Sequence, residues 1–146
     1  MYNFIYFFDN YKDDKGYCMK HAVLRMLVLM INSDLEKVKD GIAVTLAVNG
    51  LMISGRIIPR DDFYNIEQNL VLKTFRESGR KSLTTEQISK EEDDLTYLKN
   101  IDTLHLTDAI YVIGTQKVPT TTTTSIIVDI DSIDAYNMGS MNYLER

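Results

Sequence analysis

Residues 42–58 constrain the fold more than any other part of the chain. Ile42, Val44, Leu46 and Val48 share one parity, and Ala43, Thr45 and Ala47 share the other. That period of two is the pattern of an extended strand with one face turned to a core. Asn49-Gly50 follows, a dipeptide suited to the paired positive φ angles of a type I′ turn, and residues 51–58 return as the partner strand. Any structure the chain adopts has to cover one face of this hairpin. Gly55 lies inside the returning strand without a side chain to pack, so it marks a bend or the close approach of another backbone. Pro59 has no N–H to donate and ends the pairing.

Upstream, residues 17–38 carry a helical period in Val23, Leu27, Met30, Ile31, Leu35 and Val38, which predicts a helix with these residues inward. Ser33-Asp34-Leu35-Glu36 also offers a cap for a second short helix, and Gly41 is a stop signal. Residues 1–18 are aromatic and acidic without a period, and Met19 offers an alternative start. Downstream of the hairpin, residues 61–79 read as a helix with Phe63, Ile66 and Leu70 on one stripe and Gly79 as its stop. Residues 80–94 read either as a charged helix with Ile88, Leu95 and Leu98 inward or as a mobile insertion.

Strand character resumes over 103–113. Leu104, Leu106, Ile110 and Val112 stand on one parity, and His105, Thr107, Ala109 and Tyr111 on the other. Thr120 to Thr124 have no apolar anchor and read as a loop. Two short strands follow over 125–130 and 132–138, carrying Ile126, Val128, Ile130 and Ile133, and Gly139 closes the ordered part. The order of elements predicts an α+β fold: a small, twisted, mainly antiparallel five-strand sheet, or an Sm-like barrel. An N-terminal helix precedes it, and a helical, charged insertion over 61–100 separates strands two and three. Its 146 residues, 45% hydrophobic and 25% charged, fit a single domain over 1–146.

Sixteen Lys plus Arg against twenty-one Asp plus Glu leave a net charge of −5, a mean field that repels phosphate and weighs against nucleic acid as a partner. Cys18 is the single cysteine and cannot form an internal bridge, which suits a reducing compartment. No apolar run approaches the roughly 18–20 residues a membrane span needs, and residues 1–8 lack the basic start of a signal peptide. A cytoplasmic protein with no membrane contact is the expectation.

No residue set announces catalysis or a cofactor. Cys18 and His21 are spaced to share a helix face but have no third group to orient them. His105 alternates with core residues and reads as a sheet-face histidine, with a local pH response as its best functional case. Asp129, Asp131 and Asp134 are close in sequence but lack the Gly-containing loop that wraps a hard cation, so no metal site is assigned. Phosphate-binding glycine loops are missing too. Lys73, Arg76, Arg80 and Lys81 form the one basic cluster, at the end of the inserted helix.

Several segments taken in order resemble the gas vesicle accessory protein of the U type. They are V-N-G-x-x-I-S-G within residues 41–55, Asp62-Phe63-Tyr64, His105-Leu106-Thr107-Asp108-Ala109-Ile110-Tyr111, and Ile133-Asp134-Ala135-Tyr136-Asn137-Met138-Gly139. The family pattern carries a Trp-Arg pair in the penultimate strand and a glycine before the final aromatic, where this chain has Ile126-Ile127 and Ala135. The resemblance implies a soluble, non-enzymatic accessory protein acting on gas vesicle assembly or clustering, with gas vesicle components as partners. It transfers no catalytic residue.

The reading is therefore a protein-interaction module. Its candidate contacts are Tyr136, Met138, Met141, Tyr143, Arg76, Arg80 and Lys81, and a homo-oligomer is a further option. Two other classes stay open. One is an Sm-like RNA-binding oligomer, which the charge disfavours; the other is a small ligand-binding barrel, which a lined cavity would support.

Overall fold

A computed structural model describes residues 19–33, 40–94 and 98–141. The expectations for Cys18, Leu35, Val38, Leu95, Tyr143 and the segment 1–18 concern residues outside these. Helix α1 (Ala22–Ser33) leads into strand β1 (Ile42–Val48) and strand β2 (Leu51–Ile57). Next come the short helix α2 (Arg60–Tyr64), a 3₁₀ turn (Glu67–Asn69), α3 (Leu70–Lys81), α4 (Thr85–Asp94) and a second 3₁₀ turn (Leu98–Asn100). The chain then forms β3 (Thr103–Ile113), β4 (Gln116–Val118), β5 (Thr124–Asp129), a third 3₁₀ turn (Ile130–Ser132) and β6 (Ile133–Met138).

The architecture is an α+β fold with a six-strand, antiparallel, open sheet. Its order is β4-β3-β2-β1-β6, with β5 also paired to β3. Five strands were expected; the sixth, β4, is a three-residue piece too short to show a period. The long strand β3 shares one edge between two neighbours, β5 along Thr103–Ala109 and β4 along Tyr111–Ile113. Only the 3₁₀ turn Ile130–Ser132 separates β5 from β6, yet these strands border opposite ends of the sheet, so the sheet has to curl. No ladder joins β5 to β6 among the described residues, and the barrel alternative does not close.

The hairpin pairs Val48 with Leu51 across Asn49 (φ 51°) and Gly50 (φ 80°). On its core face Val44, Leu46, Ile53 and Ile57 meet Leu104, Leu106, Ala109, Val128, Ile130 and Ile133. Helix α1 covers this face with Leu24, Val28 and Ile31; Ile31 is inward as expected and Leu27 packs part-buried against the core, but Leu24 and Val28 take the places expected for Val23 and Met30, and Met30 is 59% exposed. Each of the three buried side chains contributes about 1.5–3 kcal/mol relative to exposure. The offset has a specific cause, because the buried face also takes in Arg25.

Arg25 is 4% exposed and acts as a clasp. Its Nε donates to the Lys20 carbonyl at 2.9 Å, one Nη donates to the Ile101 carbonyl, and the other donates to Asp131 Oδ1 at 2.6 Å. One step away, His21 Nε2 donates to the Ile133 carbonyl at 2.6 Å and its ring stands edge-on to Tyr136. The start of α1 is thereby fixed to the turn between β5 and β6. A buried guanidinium is tolerable only when its donors are taken up in this way.

Candidate functional site

Three places bring together the residues singled out in the sequence. The first is a bulge in β3. Ser54 pairs with Ile110 and Arg56 with Thr107, so Gly55 alone on β2 opposes Asp108 and Ala109. The β5 ladder shifts at the same place, between Leu106 and Ala109. Asp108 takes φ 50°, the left-handed conformation that Asp tolerates better than most residues. An extra residue inverts the parity beyond it. Ala109 and Tyr111 therefore turn to the core, and Ile110 turns away, contrary to the simple alternation expected over 103–113. The bulge also explains Gly55. A Cβ there would lie 3.1 Å from the Thr107 carbonyl oxygen and 3.2 Å from Ala109 Cα, closer than most Cβ contacts, so a side chain here would push the two backbones apart by a few tenths of an ångström.

On the other face of the sheet the bulge borders a cavity of about 270 Å³. Ser54, Arg56, Asp108, Ile110, Lys117 and Met141 are among its lining residues. The segment after β6 folds over Thr45 and Ser54 and buries both. Thr45 Oγ1 donates to the Gly139 carbonyl at 2.8 Å, and the Met141 N–H donates to Ser54 Oγ at 3.0 Å. Met141 thus sits at the cavity, Tyr136 packs against the core, and Met138 is 51% exposed on β6.

The second place is the base of the insertion. Helix α2 packs on β3 with buried Phe63, whose ring centroid is 5.0 Å from that of His105. Tyr64 lies 5.9 Å from the same imidazole, and the Arg76 guanidinium sits 4.9 Å above the Tyr64 ring while donating to Asp61 at 3.2 Å. Burial, then the charges of Arg60 and Arg76, push His105 down from 6.5 to about 4, so it is neutral near pH 7. Asn69 is buried just beyond. It donates to the Phe63 carbonyl at 2.9 Å and accepts from Ser125 at 3.1 Å, fastening the insertion to β5.

The third place is α3, which leaves that base without burying a single side chain. Val71 is 67% exposed and Phe75 74%, with Leu70 and Leu72 at 46% each. Arg80 and Lys81 occupy its last turn, where the helix dipole favours cations. Two expectations change here. The continuous helix over 61–79 is broken at Asn65 and Ile66, so Leu70 faces outward rather than sharing a stripe with Phe63, and α3 runs through Gly79 to Lys81. Of the two readings of 80–94, the helical one holds for Thr85–Asp94. A reciprocal capping box starts that helix: the Thr84 N–H donates to Gln87 Oε1, and the Gln87 N–H donates to Thr84 Oγ1. That T-x-x-Q signal is present in the sequence.

The three aspartates each serve the fold. Asp129 accepts from the Asp131 N–H and the Ser132 hydroxyl at 3.1 Å, Asp131 holds Arg25, and Asp134 accepts from the Asn49 N–H at 2.8 Å. Among the described residues, no three His, Cys, Asp or Glu side chains are grouped to hold a metal ion, and no helix is long and apolar enough to cross a membrane.

In comparison with known families the chain matches one described as gas vesicle protein GvpU-like, over residues 21–141. That span takes in all three places above. Neither the curated proteins nor the solved structures give a match.

Proposed function

Because the chain belongs to the GvpU-like gas vesicle protein family, we propose that it is a non-enzymatic protein-interaction module that acts in the cytoplasm on gas vesicle assembly or clustering. Its partners in this reading are gas vesicle components. The observation that supports the reading best is α3, a helix anchored at its base by Phe63 and Asn69 that then presents Val71, Leu72 and Phe75 to solvent. Side chains exposed to this degree gain little from the chain's own core. Burial of Val71 and Phe75 on a partner gains about 1.5–3 kcal/mol apiece. Arg80 and Lys81 flank the apolar row and favour a partner surface with acidic groups nearby.

Gas-filled particles float, which makes the test direct. Purified gas vesicles are mixed with the protein, centrifuged, and the buoyant layer is assayed for bound chain. The wild type is expected to rise with the vesicles, and a Val71→Asp, Phe75→Asp variant to stay in the subnatant. A wild type that never enters the buoyant layer, or a variant that rises equally well, contradicts the proposal.

A further inference from the structure

We propose that the cavity beside the β3 bulge recognises the C-terminal residue of a partner polypeptide. This rests on the interaction-module reading but concerns a different surface from α3. The cavity presents cations and an anion together, Arg56 and Lys117 with Asp108, and an apolar wall from Ile110 and Met141. Arg56 is held by the Asp40 and Gly41 backbone carbonyls, acceptors that position the guanidinium without cancelling its charge.

Ser54, 3% exposed, adds a hydroxyl donor. Thr45 gives its one proton to Gly139 at 2.8 Å and stands 3.5 Å from Ser54 Oγ. Ser54 Oγ already accepts from the Met141 N–H at 3.0 Å, and its 3.5 Å contact with Thr45 Oγ1 is a weak one that a ligand oxygen can replace.

A terminal residue has the matching pattern. Its carboxylate takes Arg56, Lys117 and the Ser54 hydroxyl, the N–H on the same Cα donates to Asp108, and its side chain lies on Ile110 and Met141. A phosphate has acceptors only and meets Asp108 as a like charge. A polypeptide suits the site better than a free amino acid because a second depression, lined by Thr115, Gln116, Lys117 and Thr120, lies at β4 and shares Lys117 with the cavity. With β4 as the last strand on that side, the rest of the peptide has a sheet edge to follow.

The test is a titration of the full ¹⁵N-labelled chain, followed by amide NMR shifts, with four probes: acetyl-Gly-Ala-Leu as the free acid, the same peptide as its C-terminal amide, free leucine, and inorganic phosphate. The free acid is expected to shift the amides of Gly55, Asp108 and Met141. The C-terminal amide is expected to bind about tenfold more weakly or less, because the charge-assisted bonds are gone. Lys117→Met, with its spectrum otherwise unchanged, is expected to lose the same discrimination. Equal binding of acid and amide overturns the proposal, as does tighter binding of leucine or phosphate at these amides, or no shift at millimolar peptide. If the peptide fails while the wild type still floats with vesicles, only this inference falls and the proposed function stands.

Discussion

Substituting Gly55 by alanine tests the bulge that organises the centre of the molecule. The added Cβ would stand 3.1 Å from the Thr107 carbonyl oxygen and 3.2 Å from both Ala109 Cα and Ala109 Cβ. Two of these neighbours are backbone atoms at the bulge, where Thr107 is paired to Arg56 on one side and Ala109 to Thr124 on the other, so each ladder resists their retreat. Overpacking of this kind costs about 1–3 kcal/mol. Alanine also restricts the unfolded chain, which returns about 0.4–1 kcal/mol. The net expectation is a loss of about 1–2 kcal/mol. For a chain of this length that lowers the Tm by roughly 3–8 °C. Urea unfolding followed by far-UV circular dichroism measures it, with the m-value as a check that the denatured state is unchanged. Ala109→Gly removes one of the three contacts and is expected to recover part of the loss in the double variant, so the two effects are not additive. A Gly55→Ala protein as stable as the wild type refutes the argument that a Cβ at residue 55 disturbs the β2–β3 approach.

Two further substitutions probe the other buried features. His105 has its pKa lowered to about 4 in the fold against 6.5 unfolded, so the unfolded chain takes up the proton first as pH falls. Stability is full above pH 6.5, declines between 6.5 and 4, and levels off below, a total loss of about 3 kcal/mol. His105→Phe keeps an aromatic ring beside Phe63 and is expected to remove that component, which the difference between the two proteins' stability–pH curves measures; parallel curves refute it. At the clasp, Arg25→Met leaves the buried Ile101 carbonyl without its donor and is expected to cost about 2–4 kcal/mol, against about 1 kcal/mol for Asp131→Asn, whose carboxylate is 65% exposed. Denaturant titration compares them, and a larger loss in Asp131→Asn contradicts the asymmetry.

The parts of the fold legible in the sequence are those where one rule acts alone. The alternation over 42–48 and the Asn49-Gly50 turn define a hairpin without help from the rest of the chain. Strand β3 is legible as a strand but not in its facing, because the left-handed residue that inverts its parity is Asp108 and not a glycine. The facing of α1 is obscured by Arg25, a charge that enters the core only because carbonyls and Asp131 distant in sequence receive it. Periodicity marks Leu70 as apolar but cannot say whether a partner within the chain exists to cover it, and here none of α3 is buried. The cavity is the least legible feature. Its lining residues belong to β2, β3, β4, the β4–β5 loop and the segment after β6, and they are brought together by the ladders and by the hydrogen bonds that fold that last segment over Thr45 and Ser54.

The most direct measurement for the account as a whole is hydrogen–deuterium exchange of the full chain, free and bound to purified gas vesicles. Free, the amides of Leu70–Lys81 are expected to exchange early, because no buried side chain holds that helix to the body of the protein. Bound, they are expected to slow markedly while the core strands β1 to β3 stay as they were. A vesicle-bound protein whose α3 amides exchange at the free rate would contradict the claim that this helix is the docking surface.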